Sequence, residues 1–293
     1  MDSFVDFSDI RLDEMRRLYY DGRNGKGGSL LKMDQRIIEC EIAYYQCFSQ
    51  TAYTPDTIRF HDPNLPDMYY HNFTYIRESA DPAAIATIVE REIKARRAKK
   101  AGYLNVLSGL EVDIALLSEI SPTASLSTNS FYQLNTACLA QWKVISGCDI
   151  RRVDSREMVE DVLYSDLEHD KERLGRDFCE RRCLRRSEVY VQEGGVDSYN
   201  CYDKGQMVGN CDLFIHKGVA KIEDFTVIPK YQRRGYGTAI LRHLVHKALD
   251  VKCDIIYLVT DEEDTPKNMY QKLGFSKIGE RKDMFFDLAD NKA

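Results

Sequence analysis

Gly235 and Gly237, within the run Gln232-Arg233-Arg234-Gly235-Tyr236-Gly237, are the residues whose type and spacing speak most directly of chemistry in this 293-residue chain. Glycines two positions apart let successive backbone N–H groups converge. A helix starting just behind them adds unpaired donors and a partial positive charge. Together they make a cradle for a phosphate that needs no dedicated lysine.

The flanking elements must hold that cradle open. Val219–Val227 reads as a β-strand, and Pro229 biases Ile228 toward an extended shape, so the strand is expected to finish at about Val227. Beyond the glycines, Ile240, Leu241, Leu244, Val245, Ala248 and Leu249 recur at helical spacing, with Arg242, His243, His246 and Lys247 on the opposite side. The inner stripe packs and the helix start stays free. Two other phosphate motifs are excluded. A dinucleotide fingerprint wants a third glycine where Ile240 stands, and Gly25-Lys26-Gly27-Gly28-Ser29 lacks both the leading glycine of a P-loop and a Ser or Thr directly after its lysine. The latter run is expected to be a surface turn.

Residues 189–288 resemble the GNAT superfamily of N-acetyltransferases. Gln232 to Gly237 satisfies the family's Gln/Arg-x-x-Gly-x-Gly/Ala signature, and Asn268-Met269-Tyr270-Gln271-Lys272-Leu273-Gly274-Phe275 is similar to its short helix ending in Leu-Gly-Phe. The resemblance implies a GNAT fold of the α/β (α+β) class: a mixed, mostly antiparallel central sheet flanked by helices. It implies acetyl-CoA as co-substrate, its pantetheine arm lying like an added strand where the fourth and fifth strands splay apart. Phe225, Thr226 and Val227 would line the pantetheine. Arg233, Arg234, Gly235, Tyr236, Gly237 and Thr238 would surround the pyrophosphate, the two arginines being equally well explained as solvated side chains.

Amide-forming transfer needs a neutral amine, a polarised thioester carbonyl and a proton for the departing thiolate. By the resemblance, Tyr270 would protonate the thiolate. A phenol with an ordinary pKa near ~10 is protonated at neutral pH and able to donate. Glu223 and Asp224 stand in an order similar to the Glu-Asp-hydrophobic run of glucosamine-phosphate N-acetyltransferases. Strand alternation sends them to opposite faces, so only one is expected to face the cleft. Glu223 is the chosen base, working through a water; a structural ion pair with a basic neighbour is the competing role. One departure is plain. Where many members place an asparagine seven positions before the tyrosine, this chain has Glu263, inside Asp261-Glu262-Glu263-Asp264, a run that reads as solvated. Asp264 or Asn268 could replace the missing contact.

The surrounding pattern agrees. Val196–Tyr202 and Met207–Ile215 meet at Asp203-Lys204-Gly205, His216-Lys217-Gly218 leads into Val219–Val227, and Ile255–Val259 suits a central strand buried on both faces. Ser276–Arg281 and Asp283–Leu288 are expected as two closing strands. Ser155–Glu188 reads as two helices, with Cys179 and Cys183 on one helical face. Tyr164, His169 and Arg173 are conceivable acceptor contacts there, though each reads equally as surface.

The length allows two domains, 1–147 and 148–293, with Ser146-Gly147 as the only joint. In the first, Ile37–Phe48 reads as a helix, Met68–Ile76 as an aromatic strand, Pro82–Ala98 as a helix, and Tyr103–Leu107 and Phe131–Leu134 as strands. This order resembles a second, degenerate GNAT-like domain. Its strand-to-helix passage, Glu78-Ser79-Ala80-Asp81-Pro82, has two carboxylates and no glycine, so no CoA is expected there. Walling the acceptor site or supporting the catalytic half is its expected task.

Composition narrows the setting. The net charge of −6 argues against nucleic acid, and no run approaches the ~20 apolar residues of a membrane span. The opening Met1-Asp2-Ser3-Phe4-Val5-Asp6 lacks a basic signal region, so a cytoplasmic protein is expected. Nine cysteines without paired spacing point to free thiols and no metal. The reading is therefore an acetyl-CoA-dependent N-acetyltransferase acting directly on a primary amine of a small-molecule or peptide acceptor. A longer acyl donor, a non-catalytic acyl-CoA sensor or scaffold, and a homo-oligomeric state stay open.

Overall fold

Among the described residues, alternating apolar side chains and hairpin turns build eleven strands that join in one continuous sheet. The computed structural model describes residues 33–143, 147–190, 195–263 and 267–289. Gly25–Ser29, Ser146 and Asp264 lie outside them. Among the described residues the first half holds α1 (Gln35–Gln46), β1 (Gln50–Tyr53), β2 (Thr57–His61), β3 (Thr74–Ile76), α2 (Ile85–Ala98), β4 (Tyr103–Ser108), α3 (Ile114–Ile120) and β5 (Ala124–Leu134). The second holds β6 (Cys148–Arg152), α4 (Arg156–Leu174), α5 (Arg176–Tyr190), β7 (Asp197–Asp203), β8 (Gln206–His216), β9 (Val219–Val227), α6 (Tyr236–Asp250), β10 (Ile255–Asp261), α7 (Lys267–Lys272) and β11 (Phe275–Asp287).

The strand order is β1-β2-β3-β4-β11-β5-β10-β9-β8-β7-β6. β7, β8 and β9 form the expected antiparallel meander, and β10 returns parallel to β9. Each half repeats one motif: a strand, a helix, a parallel strand, a short helix and a final strand. In the first half these are β3-α2-β4-α3-β5, in the second β9-α6-β10-α7-β11. The final strands change places. β11 pairs with β4 of the first half, β5 pairs with β10 of the second, and the two run antiparallel to each other at the centre.

Two sequence expectations are corrected here. Ser276–Arg281 and Asp283–Leu288 are one strand, β11, interrupted only by an irregularity between Lys277 and Gly279. Lys282 offers no turn chemistry, and β5 already fills the position beside β10 that a returning hairpin strand would take. Of the Met68–Ile76 run only Thr74–Ile76 is strand. Tyr69–His71 makes a 3-10 turn, its chain pinned by the Asn72 amide donating to the Leu65 and Met68 carbonyls.

One sheet face packs against α1, α4 and α5 around Tyr44, Tyr45, Phe214, Phe131 and Tyr257. The other packs against α2 near the first half and α6 near the second. α1 starts where the Asp34 carboxylate accepts from the Arg36 N–H, and it buries Ile37, Cys40, Glu41, Tyr44 and Tyr45 on one side. Among the described residues no helix is long and apolar enough to cross a membrane.

Candidate active site

The cleft begins where two parallel strands part. β9 and β10 face each other from Val219–Ile255 to Ile222–Leu258 and no farther. From there β10 continues against β5 through Asp261, while β9 runs on to Val227 against β8 alone. Burial changes at the same point: the first four residues of each strand are buried, and Glu223–Val227 are half exposed. The inner edge of β9 past Ile222 therefore lacks a strand partner, which leaves it able to receive an extended ligand.

A bulge aims that edge. The β8–β9 register slips one residue between Asn210–Thr226 and Asp212–Glu223, and Asp224 takes a left-handed φ of 54°. Gly209 makes it possible, since a Cβ there would lie 2.4 Å from the Thr226 carbonyl oxygen. The bulge turns Phe225 toward the α6 side, with its ring centroid 6.4 Å from that of Tyr270.

The glycine run behaves as its types require. Arg233 and Gly235 are left-handed, at φ 62° and 91°, and Gly235 caps α6 with no side-chain hydrogen bond to the first N–H groups. The Gln232 amide donates to the Val227 carbonyl at 3.1 Å, tying the loop to the strand end. A Cβ on Gly237 would meet Phe225 Cζ at 3.0 Å and Val227 Cγ2 at 3.7 Å, so the glycine keeps the floor between loop and strand open. An uncapped helix start beside an unpartnered strand edge suits a pyrophosphate joined to an extended arm. Tyr236 contributes main chain only: its phenol donates to Asp203 at 2.6 Å and its ring meets Tyr231 edge-on. Arg233 and Arg234 are exposed, the latter over the Tyr231 ring. Thr238 is half buried in the first turn of α6.

Tyr270 is buried in the short α7, between Phe225 and Phe275, at the end of the cleft that the strands open. Glu223 lies on the opposite sheet face, a third exposed, with Oε2 2.9 Å from Lys221 Nζ. The expectation that only one of Glu223 and Asp224 would occupy that face is corrected. Glu223 stands across from Asp212, and Arg186 bridges Asp212 at 2.7 Å to Asp224, so both carboxylates reach the same side. The bulge is the reason, because a left-handed residue breaks strict alternation.

Behind these carboxylates lies a buried polar layer that no sequence motif announced. Lys221 touches both Glu223 and Glu41 and sits over the rings of Tyr44 and Tyr45. Burial alone would strip its proton, but the Glu223 and Glu41 carboxylates hold it well above the usual amine range. Glu41 also accepts from Tyr257 at 2.8 Å and Arg281 at 2.9 Å. Burial opposes its charge, yet Lys221 and Arg281 keep its pKa below the ordinary carboxyl value. Burial pushes Asp212 up in spite of Arg186. The one sequence signal for this layer is a lysine inside an otherwise apolar strand start, two residues before a glutamate.

The acidic run after β10 is only partly solvated. Glu262 accepts from Ser130 and lies 3.2 Å from Lys277 and 3.6 Å from Lys267, so it ties β10 to β5 and β11. Asp261 and Glu263 are exposed. In the first half, the position matching the glycine loop is closed: the Asp81 carboxylate accepts from the Ala83 N–H and caps its own helix start. No group of three His, Cys, Asp or Glu among the described residues is placed to hold a metal ion.

Comparison with known proteins adds to this geometry. Residues 157–275 match the model of the acetyltransferase (GNAT) family. Over 242 residues the chain is 24% identical to the uncharacterized N-acetyltransferase CgeE of Bacillus subtilis (strain 168), spanning 81% of this chain and 92% of that protein. A functionally unknown conserved protein from Staphylococcus epidermidis ATCC 12228 shares the fold with a TM-score of 0.72 at 17% identity, covering 88% of this chain and 99% of its own. A GCN5-related N-acetyltransferase from Kribbella flavida does so with a TM-score of 0.64 at 15% identity, covering 86% and 94%. The architecture is the GNAT fold.

Proposed function

We propose, from the match of residues 157–275 to the acetyltransferase (GNAT) family, that the protein transfers an acetyl group from acetyl-CoA directly to a primary amine of a small-molecule or peptide acceptor. The observation that carries this reading is the parting of β9 and β10 after Ile222 and Leu258, directly beside an uncapped helix start. The N–H groups at the start of α6 hold the pyrophosphate, and Gly237 gives it room. Phe225, Thr226 and Val227 flank the pantetheine arm along the free strand edge.

Glu223, at the mouth of the cleft, takes the proton of the incoming ammonium through a water, leaving a neutral amine. As the amine nitrogen forms its bond to the thioester carbon and the carbon–sulfur bond breaks, the Tyr270 hydroxyl supplies the proton that the thiolate gains, while the nitrogen sheds its extra proton to water and the phenolate takes one back from solvent, leaving a neutral amide, the CoA thiol and the phenol. The two groups reach the thioester from opposite sheet faces, which suits an acceptor entering on one side and a thiol leaving on the other.

The test is release of the CoA thiol from acetyl-CoA in the presence of a panel of primary amines. One or more amines should accelerate release, and mass spectrometry should find the acetylated amine. Tight acetyl-CoA binding with no amine acetylated would overturn the transferase reading and support an acyl-CoA sensor instead. Preference for a longer acyl-CoA over acetyl-CoA would change the donor and leave the direct-transfer chemistry standing.

A further inference from the structure

We infer that Lys221, anchored by Glu41 from the N-terminal half, is a positioning residue that fixes the Glu223 carboxylate at the cleft mouth; the inference rests on the proposed role of Glu223 as base. Lys221 is 1% exposed and reaches no solvent, so it is not a candidate for contact with an acceptor. Its ammonium is shared: Nζ lies 2.9 Å from Glu223 and bridges to Glu41, with the faces of Tyr44 and Tyr45 closing the remaining sides.

That sharing has a consequence for proton transfer. A base paired to one buried cation would strand that cation each time it took a proton, and an uncompensated buried charge is costly. Here Lys221 keeps Glu41 as partner when the Glu223 carboxylate is neutralised, and the tyrosine rings add cation–π stabilisation. Glu41 is in turn held by Arg281 at 2.9 Å and Tyr257 at 2.8 Å, so its own position does not depend on Glu223. The two cations and two carboxylates balance while Glu223 is ionised.

The arrangement also gives the first half a task in the second half's chemistry. Glu41 comes from α1 and contacts side chains on β9, β10 and β11, reaching the base strand from outside the family-matched segment.

The experiment is a double-mutant cycle on full-length protein, with CoA-thiol release from acetyl-CoA and an active amine as the readout and acetyl-CoA binding followed by calorimetry. Lys221→Met should lower kcat about 100-fold, in line with displacement of a catalytic group by about an ångström, with the Kd for acetyl-CoA unchanged. Lys221→Arg should recover part of the rate. In a Glu223→Gln background, Lys221→Met should cause no further loss, because its effect runs through the carboxylate. Additive losses in the double variant, or a wild-type kcat for Lys221→Met, would overturn the positioning role. Should Lys221→Met not fold, Glu41→Gln probes the same contact from the other end: lowered kcat with unchanged acetyl-CoA affinity is expected, and unchanged kcat overturns the inference. A wild-type rate for Glu223→Gln would instead remove the base assignment on which the inference stands, while a slow Glu223→Gln beside a fast Lys221→Met would remove the inference alone.

Discussion

Ile222 and Leu258 are the last residues at which β9 and β10 face each other, and the free edge that starts after them leads to the Phe225–Tyr270 ring contact. The proposed cleft is thus the product of a ladder that stops and a bulge that turns the strand at the same place.

Gly209→Ala tests the bulge. Its methyl would lie 2.4 Å from the Thr226 carbonyl oxygen, a backbone atom that cannot step aside alone. A cost of about 1–3 kcal/mol is expected in urea unfolding, as for other overpacked sites, together with weakened acetyl-CoA binding. Unchanged stability and affinity would mean the strand does not need this glycine.

Gly237→Ala tests the floor of the cleft. The residue lies within α6, where alanine suits the helix, so folding should be preserved. The added methyl approaches Phe225 Cζ at 3.0 Å and narrows the proposed channel. We expect KM for acetyl-CoA to rise about tenfold, the scale of one methyl group in a fitted pocket, with the melting temperature unaffected.

Tyr270→Phe tests the proton donor. The ring and its contacts with Phe225 and Phe275 are retained while the hydroxyl is lost. A fall in kcat of about 100-fold with acetyl-CoA affinity intact is the expected outcome. Equal turnover of variant and wild type would assign the proton to another group.

Asp170 supplies a pH-dependent prediction away from the cleft. Although burial opposes its charge, hydrogen bonds from Arg173 and Arg182 lower its carboxyl to about 2, below the ordinary 3.8. A folded-state value below the unfolded one adds stability that is fully present above about pH 4 and is lost as pH falls toward 2. Asp170→Asn should therefore cost stability at neutral pH, about 2 kcal/mol for a charge-assisted hydrogen bond, and should flatten the acid limb of a stability-against-pH curve. Identical acid limbs would rule this contribution out.

The exchange of β5 and β11 predicts that residues 148–293 do not fold alone. Without β5 the fragment leaves β10 and β11 unpaired along their shared neighbour, and Lys221 loses Glu41. We expect no cooperative melting transition by circular dichroism from the fragment, and recovery of one when 1–147 is co-expressed. A cooperative transition in the isolated fragment would contradict this.

Much was legible before any coordinates, because it rests on local chemistry. Val219–Val227 ends where Pro229 requires, the glycines at 235 and 237 occupy the loop and first helical turn, and the apolar stripe of α6 is buried at Ile240, Leu241, Leu244 and Val245. These outcomes depend on backbone freedom and periodicity within a few residues. The placing of Glu223 and Asp224 was not legible in that way, since one extra bulge residue reverses the alternation from which faces are read. Nor was Glu262 recognisable as a tie between strands, its partners Ser130 and Lys277 being distant in the chain.

By itself the sequence determined the strand-loop-helix from Val219 to Asp250, with its glycines at 235 and 237, and the antiparallel meander that leads into it. Only the tertiary structure decided that the halves share one sheet by trading β5 for β11, and that Glu41 reaches across to Lys221, 180 positions away by number. The reason is physical: glycine, proline and apolar period act on neighbours, whereas the pairing of a buried charge depends on which distant chain happens to pack above it.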